Sequence, residues 1–355
     1  MATDYKKEFE DLVETVMKES ASDLHLSEGR YPTIRVAGFL IPLMNRKVIS
    51  REDTLGFMSV ILSPEDRELF LRNKEIDFSY NYKEKARFRG NGYFQQSSVS
   101  FAFRLIPKKI RTFEELGLPP ILETFCEKQQ GFFLVVGPVG HGKTTTLAAM
   151  VERINQTRAE HIVTIEDPIE YIYEQKKCVI DQREVRVDTI DFSTALRSAF
   201  RQDVDVILIG EMRGIDTMGT AVTAAETGHL VLSTLHTNNA SQTINRIIDS
   251  FPGQQQDQIR IQLASTLTGI FSQRLVPRIS GGLVPAYELL IANAAVSNLI
   301  REKRVHEINT VIETGLEHGM IDMNRSLAEL VRKGEITSEN AYLYSPNPRV
   351  LERLI

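Results

Sequence analysis

Phe132-Phe133-Leu134-Val135-Val136-Gly137-Pro138-Val139-Gly140-His141-Gly142-Lys143-Thr144 decides the fold of this chain. Five apolar residues read as a buried strand, and the eight that follow fit the pattern G-x-x-x-x-G-K-[ST]. Glycines at those spacings let successive backbone N–H groups curl around an anion, and the helix that follows points its positive end at the same place. The helical continuation over residues 145–154 supplies that helix. Gly137, Pro138, Val139, Gly140, His141, Gly142, Lys143, Thr144 and Thr145 are therefore expected to form the cofactor-binding loop. Lys143 would reach the β- and γ-phosphates of a nucleoside triphosphate, and Thr144 would ligate Mg²⁺.

Outward from this loop, apolar runs alternate with helical stretches, the pattern of an α/β fold with a parallel sheet covered on both faces. Ligands of such sheets lie at the carboxyl ends of the strands, so the residue leaving each run is informative. Residues 132–136 exit into the glycine loop, 162–165 into Glu166-Asp167, 206–209 into Gly210-Glu211, and 230–235 into His236. An apolar strand ending in an acid near Mg²⁺ marks Glu211 as a candidate to activate water or hold the metal. Glu166 is the other candidate for those two jobs. The preferred assignment is Glu211 as base and Glu166 as the metal-side or water-positioning acid, with the division left open by sequence.

Two histidines bracket the run 230–235. His236 is expected to touch the γ-phosphate or relay hydrolysis to a neighbouring subunit, and His229 either joins that catalytic set or braces the entry of the strand. Charge on a transferring phosphoryl group calls for arginine, often supplied by another domain or subunit. Arg197 and Arg201 stand four apart on an expected helix over 194–202 and would share one face. Arg89 and Arg104 lie in the first third of the chain.

That first third reads as a small α+β domain, residues 1–105. An amphipathic helix with Phe9, Leu12, Val13, Val16 and Met17 opens it. Short β-like runs follow at 23–26, 33–36, 77–82, 87–95 and 99–105, with one helical stretch over 51–73. Ile106-Pro107-Lys108-Lys109-Ile110-Arg111 and Leu118-Pro119-Pro120 suggest an interdomain linker over 106–118, followed by the second domain over 119–355.

The 355 residues carry a net charge of -5 and 42% hydrophobic residues, an ordinary soluble composition that argues against broad phosphate neutralisation on nucleic acid. Cys126 and Cys178 form no metal-type pair and fit a reducing cytosol. The acidic and basic opening segment is no secretory signal, and 283–300, interrupted by Pro285, Glu288, Asn293 and Asn298, should not span a bilayer.

With these residues in place, the chain resembles the secretion and pilus motor ATPases. The resemblance rests on the glycine loop, on Thr164-Ile165-Glu166-Asp167-Pro168-Ile169-Glu170, on 206–213 and on the double-histidine box, in that order. Gln182-Arg183-Glu184-Val185, Ala224-Ala225-Glu226-Thr227-Gly228-His229-Leu230 and Ser22-Asp23-Leu24-His25-Leu26 are similar to the retraction branch. The resemblance implies a RecA-like P-loop ATPase domain preceded by a smaller PAS-like domain. It also implies a homohexamer binding ATP and Mg²⁺ between domains, with Arg89, Arg104, Arg197 and Arg201 matching arginines that reach the nucleotide. Such motors act at the cytoplasmic face of the inner membrane on a platform protein and, through it, on pilins. Extension motors of the family carry a four-cysteine zinc site, whereas this chain has two cysteines. Departures from the family pattern are Val139 and His141 in the loop, Val204, Gly214, and Ser297 within Ala295-Val296-Ser297-Asn298-Leu299-Ile300-Arg301-Glu302. Retraction motors read A-I-R-N-L-I-R-E there, so an accessory or divergent paralogue, a related secretion ATPase, and a slow nucleotide-binding regulator are the alternatives.

Overall fold

The computed structural model describes residues 4–36, 38–83, 85–106 and 109–355. They form two compact units, Met1–Lys109 and Ile110–Ile355.

In the first unit, helix Tyr5–Lys18 starts where the Asp4 carboxylate accepts the Lys7 N–H at 3.1 Å, and it buries Phe9, Leu12, Val13 and Val16. The sheet contains β1 (Asp23–Ser27), β2 (Thr33–Val36), β3 (Phe39–Pro42), β4 (Glu75–Tyr82), β5 (Ala86–Gln95) and β6 (Ser98–Ile106). Its order is β3-β2-β1-β6-β5-β4, antiparallel throughout, so the first and last strands meet in the middle. Phe9, Phe57, Phe70, Phe88, Phe101 and Phe103 fill the space between sheet and helices.

Two features of this unit depart from the sequence reading. The helical stretch over 51–73 is two helices, Arg51–Ile61 and Pro64–Asn73, because the Ser63 hydroxyl accepts the Asp66 N–H and Pro64 starts a new helix. Strand β3 was not expected: all four residues are exposed, so it shows no in–out alternation, and among the described residues it pairs only with β2.

The second unit is built on β7 (Gly131–Val136), β8 (His161–Glu166), β9 (Val179–Glu184), β10 (Val206–Ile209), β11 (Leu230–Leu235), β12 (Leu267–Pro277) and β13 (Leu283–Ile291). The order is β13-β12-β7-β11-β10-β8-β9, parallel except for β13. Every residue of β7 is buried. Phe132, Leu134 and Val136 face one core, and Phe133 and Val135 face the other, the signature of a strand covered on both sides.

The expected linker is shorter than its punctuation suggests. Pro107 and Lys108 lie outside the described residues, but Ile110 onward belongs to the second unit. Thr112 and Glu115 cap the short helix Phe113–Leu116 reciprocally, and Phe113 and Leu118 are buried in the core beside β7. The apolar stretch 283–300 is strand β13 followed by helix Ala294–Arg301, and no described helix is long and apolar enough to cross a membrane.

Candidate active site

Strand order brings the predicted chemistry together. β11 lies between β7 and β10, with Leu235 opposite Val136 and Ser233 opposite Ile209. The exits of β7, β11 and β10 therefore sit side by side, which places His236 between the glycine loop and Glu211.

The loop itself is shaped by close approach. Gly137 has φ of +143°, and a Cβ there would lie 2.3 Å from the Gln273 carbonyl oxygen of β12, so no other residue fits without moving β12. Helix Lys143–Thr157 then begins at Gly142 with no side-chain cap and no acid in its first turn. Its first N–H groups are left to an external anion.

Lys143 is buried, and its ammonium donates to the carbonyls of Gly137 at 2.9 Å and Pro138 at 2.8 Å and to Nδ1 of His236 at 3.3 Å. The other ring nitrogen of His236 donates to Glu211 Oε2 at 3.4 Å. Glu211 is also paired with Arg213 at 2.5 Å. Lysine, imidazole and carboxylate thus form one chain across three strand exits. Burial pulls the Lys143 ammonium below the ordinary lysine range, and the Glu211 and Glu170 carboxylates oppose that shift.

Glu166 is placed differently. It is 3% exposed, accepts the Thr164 hydroxyl at 2.8 Å and the Glu170 N–H at 3.3 Å, and burial pushes its carboxyl up to about 7. It ends β8, one strand beyond Glu211. Both oxygens are committed to internal donors, whereas the Glu211 side chain is 17% exposed at the loop. Glu288 on β13 is likewise pushed up to about 7 by burial while it accepts the Ala240 N–H at 2.8 Å, holding the segment that follows His236.

Other expected site residues lie elsewhere. His229 precedes β11 at the opposite end from His236, about 20 Å away along six residues of strand. Its Nδ1 hydrogen-bonds the Ala224 carbonyl at 3.0 Å, and its ring meets Phe200 edge-on at 5.5 Å. His229 is therefore no part of this chain's own phosphate site; it braces the strand entry. Arg197 and Arg201 belong to that same edge. They do not share a regular helical face: the helix is Phe192–Ala199, and Arg201 lies in the turn beyond it. Asp203, at φ of +52°, continues the turn that leads into β10. In the first unit Arg89 and Arg104 are cross-strand partners on β5 and β6, and Arg104 donates to Asp23 at 2.9 Å.

Several residues escaped the sequence reading because they come from distant segments. Gln273 of β12 donates to the His141 carbonyl at 2.8 Å and accepts the Thr146 hydroxyl at 2.6 Å. The Thr145 hydroxyl meets Tyr171 at 2.9 Å. On the β12 side of the loop a cavity of about 420 Å³ opens between Thr145, Thr146, Leu275 and Leu283, with Arg111 and Arg278 at its wall.

A glycine loop between a buried strand and an uncapped helix, with its lysine linked to a carboxylate two strands away, defines a P-loop nucleotide-binding protein. Residues 5–286 match the type II/IV secretion system protein family, and the chain belongs to that family. It is 45% identical over 324 residues to the type IV pilus retraction ATPase PilT of Pseudomonas aeruginosa, covering 91% of this chain and 94% of that protein. It is 38% identical over 349 residues to the type IV pilus ATPase PilU of the same organism, covering 98% and 91%. The crystal structure of the pilus retraction motor PilT with bound ADP superposes with a TM-score of 0.91 at 45% identity, over 97% of this chain and 98% of that one. The fold is thus the two-domain α/β ATPase fold of that motor.

Proposed function

We propose that this chain hydrolyses ATP to power type IV pilus retraction, working as a homohexamer against an inner-membrane platform protein that withdraws pilins from the fibre. The observation that carries the reading is the Lys143–His236–Glu211 chain at the mouth of a phosphate loop, within a fold shared end to end with an ADP-bound retraction motor. Lys143, now occupied by the carbonyls of its own loop, exchanges them for phosphate oxygens when a nucleotide enters. The cavity on the β12 side takes the nucleoside. Glu211 accepts the proton of the attacking water, and His236 keeps that carboxylate oriented and registers the state of Lys143.

Among the described residues no group of three or more His, Cys, Asp or Glu side chains converges on a metal position. Mg²⁺ suits such a site because it binds through one or two protein oxygens and the nucleotide's own phosphates. The Thr144 hydroxyl and Glu211, or Glu166 at one remove, would hold it, and it would neutralise charge on the phosphates.

The hexamer is supported by the layout of the two sheet edges. Lys143, His236 and Glu211 occupy the carboxyl edge, and Arg197 and Arg201 occupy the opposite one. Copies arranged head to tail would bring the second set to the first, which is how a heterologous ring completes a site. Arg89 and Arg104 are proposed to serve the same shared site. Work at the cytoplasmic face of the inner membrane follows from this reading.

A second reading, an accessory motor, is favoured by Ser297. Its hydroxyl donates to the Ala264 carbonyl at 2.7 Å in the seam between helices Gly253–Thr266 and Ala294–Arg301, where retraction motors carry arginine. The test is restoration of fibre withdrawal in a strain lacking its own retraction motor. Restoration by this chain alone supports the first reading; restoration only alongside another motor supports the second; none with either, despite ATP turnover, sinks both.

A further inference from the structure

The crest of the phosphate loop is held by a side chain that phosphate recognition does not require. His141 stands between Gly140 and Gly142, both at φ of +79°, so the backbone on either side of it has unusual freedom. Its imidazole turns away from the anion position and into β12, where Nδ1 accepts the Leu275 N–H at 2.9 Å. Its own carbonyl accepts from Gln273, whose side-chain oxygen is in turn held by Thr146 on the helix after the loop. Loop crest, strand β12 and helix start are thereby closed into one hydrogen-bonded circuit.

We propose that His141 is a positioning residue that fixes the loop crest against β12, so that nucleotide affinity depends on its neutral imidazole with the proton on Nε2. This rests on the reading of the loop as a nucleotide site. An N–H donor faces Nδ1, so a proton on that nitrogen sets donor against donor and opens the circuit. The groups around the ring are Arg274 from β12, Lys143 from the helix start and the Tyr344 ring, edge-on at 6.3 Å, from helix Ser338–Tyr344. Burial first, then the two cations, hold the imidazole below its ordinary value of 6.5. The sign follows: the circuit is complete above that value and is lost as the pH falls through the lowered one.

The test is binding of a fluorescent methylanthraniloyl-ADP with Mg²⁺ to the full chain from pH 5 to pH 8. His141→Ala is expected to weaken binding about tenfold at pH 8, the worth of one buried hydrogen bond. His141→Asn, whose side-chain oxygen can stand where Nδ1 stands, is expected to recover most of that loss. It should also erase the wild type's weakening below pH 6.5. Equal affinity and equal pH dependence in wild type and His141→Ala would overturn the proposal. Failure of the wild type to bind the probe would defeat the nucleotide reading instead. The His141 assignment is then judged by imidazole nitrogen NMR at pH 8: a proton on Nε2 supports it, and a proton on Nδ1 overturns it.

Discussion

Strand β11 carries a histidine at each end, and the two ends live in different chemistry. At the carboxyl end His236 links a buried lysine to a partly exposed glutamate. At the amino end His229 holds a backbone carbonyl and packs on an aromatic ring. The same residue type, six strand residues apart, faces the phosphate loop in one place and braces backbone in the other, because the carboxyl edge has the uncapped helix N-terminus and the glycine loop facing it. Under the proposed function, what the amino edge offers to nucleotide chemistry, Arg197 and Arg201, it would offer to another copy.

The largest expected effect lies on the carboxyl edge. Lys143→Ala should lower ATP turnover about a thousandfold, as for losing a preorganised donor at a charged transition state. Steady-state hydrolysis within a fewfold of wild type would mean that the loop is not the site. Next, Glu211→Gln should slow single-turnover hydrolysis about a hundredfold while ADP binding persists. If Glu166→Gln is the more damaging change, the two carboxylates exchange roles. The histidine pair then separates the edges. His236→Ala should cost about tenfold in turnover with little change in melting temperature. His229→Ala should lower the melting temperature by a few degrees, about 1 kcal/mol, with the turnover per assembled ring retained. A reversed pattern would erase the distinction between the two ends of β11.

The smallest effect is in pH. Burial raises the Glu166 and Glu288 carboxyls to about 7, so the folded state holds their protons more tightly than the unfolded chain. Their favourable contribution is complete below about pH 4.5 and is lost as the pH climbs to 7. Glu166→Gln and Glu288→Gln should each flatten that decline in thermal stability, and the double variant should flatten it most. Unchanged pH profiles would show that water reaches these groups.

Much of the candidate site was legible because it is local. The glycine loop is contiguous, and each exit residue follows its own apolar run, so Lys143, Thr144, Glu166, Glu211 and His236 could be chosen without a structure. Strand order was not legible, because nothing in residues 230–235 says that they insert between β7 and β10. That order is what selects His236 over His229 and sets Glu166 one strand farther out. Gln273 and Leu275 escaped for the same reason, since they lie more than a hundred residues from the loop they contact. The exposed strand β3 lacks the alternation that marks a half-buried strand, and the break before Pro64 was hidden inside a continuous helical pattern.

The proposed function requires that the two edges of this sheet, from neighbouring copies, make one catalytic site. Mixing subunits tests it directly. Lys143→Ala and Arg197→Ala/Arg201→Ala subunits, each inactive alone, are combined in varying ratio, and ATP turnover is measured on the assembled rings. Activity is expected to reappear in the mixtures, with a maximum near equal proportions, because some interfaces then pair an intact carboxyl edge with intact arginines. Turnover that stays absent at every ratio, or an arginine variant that is fully active by itself, would contradict it.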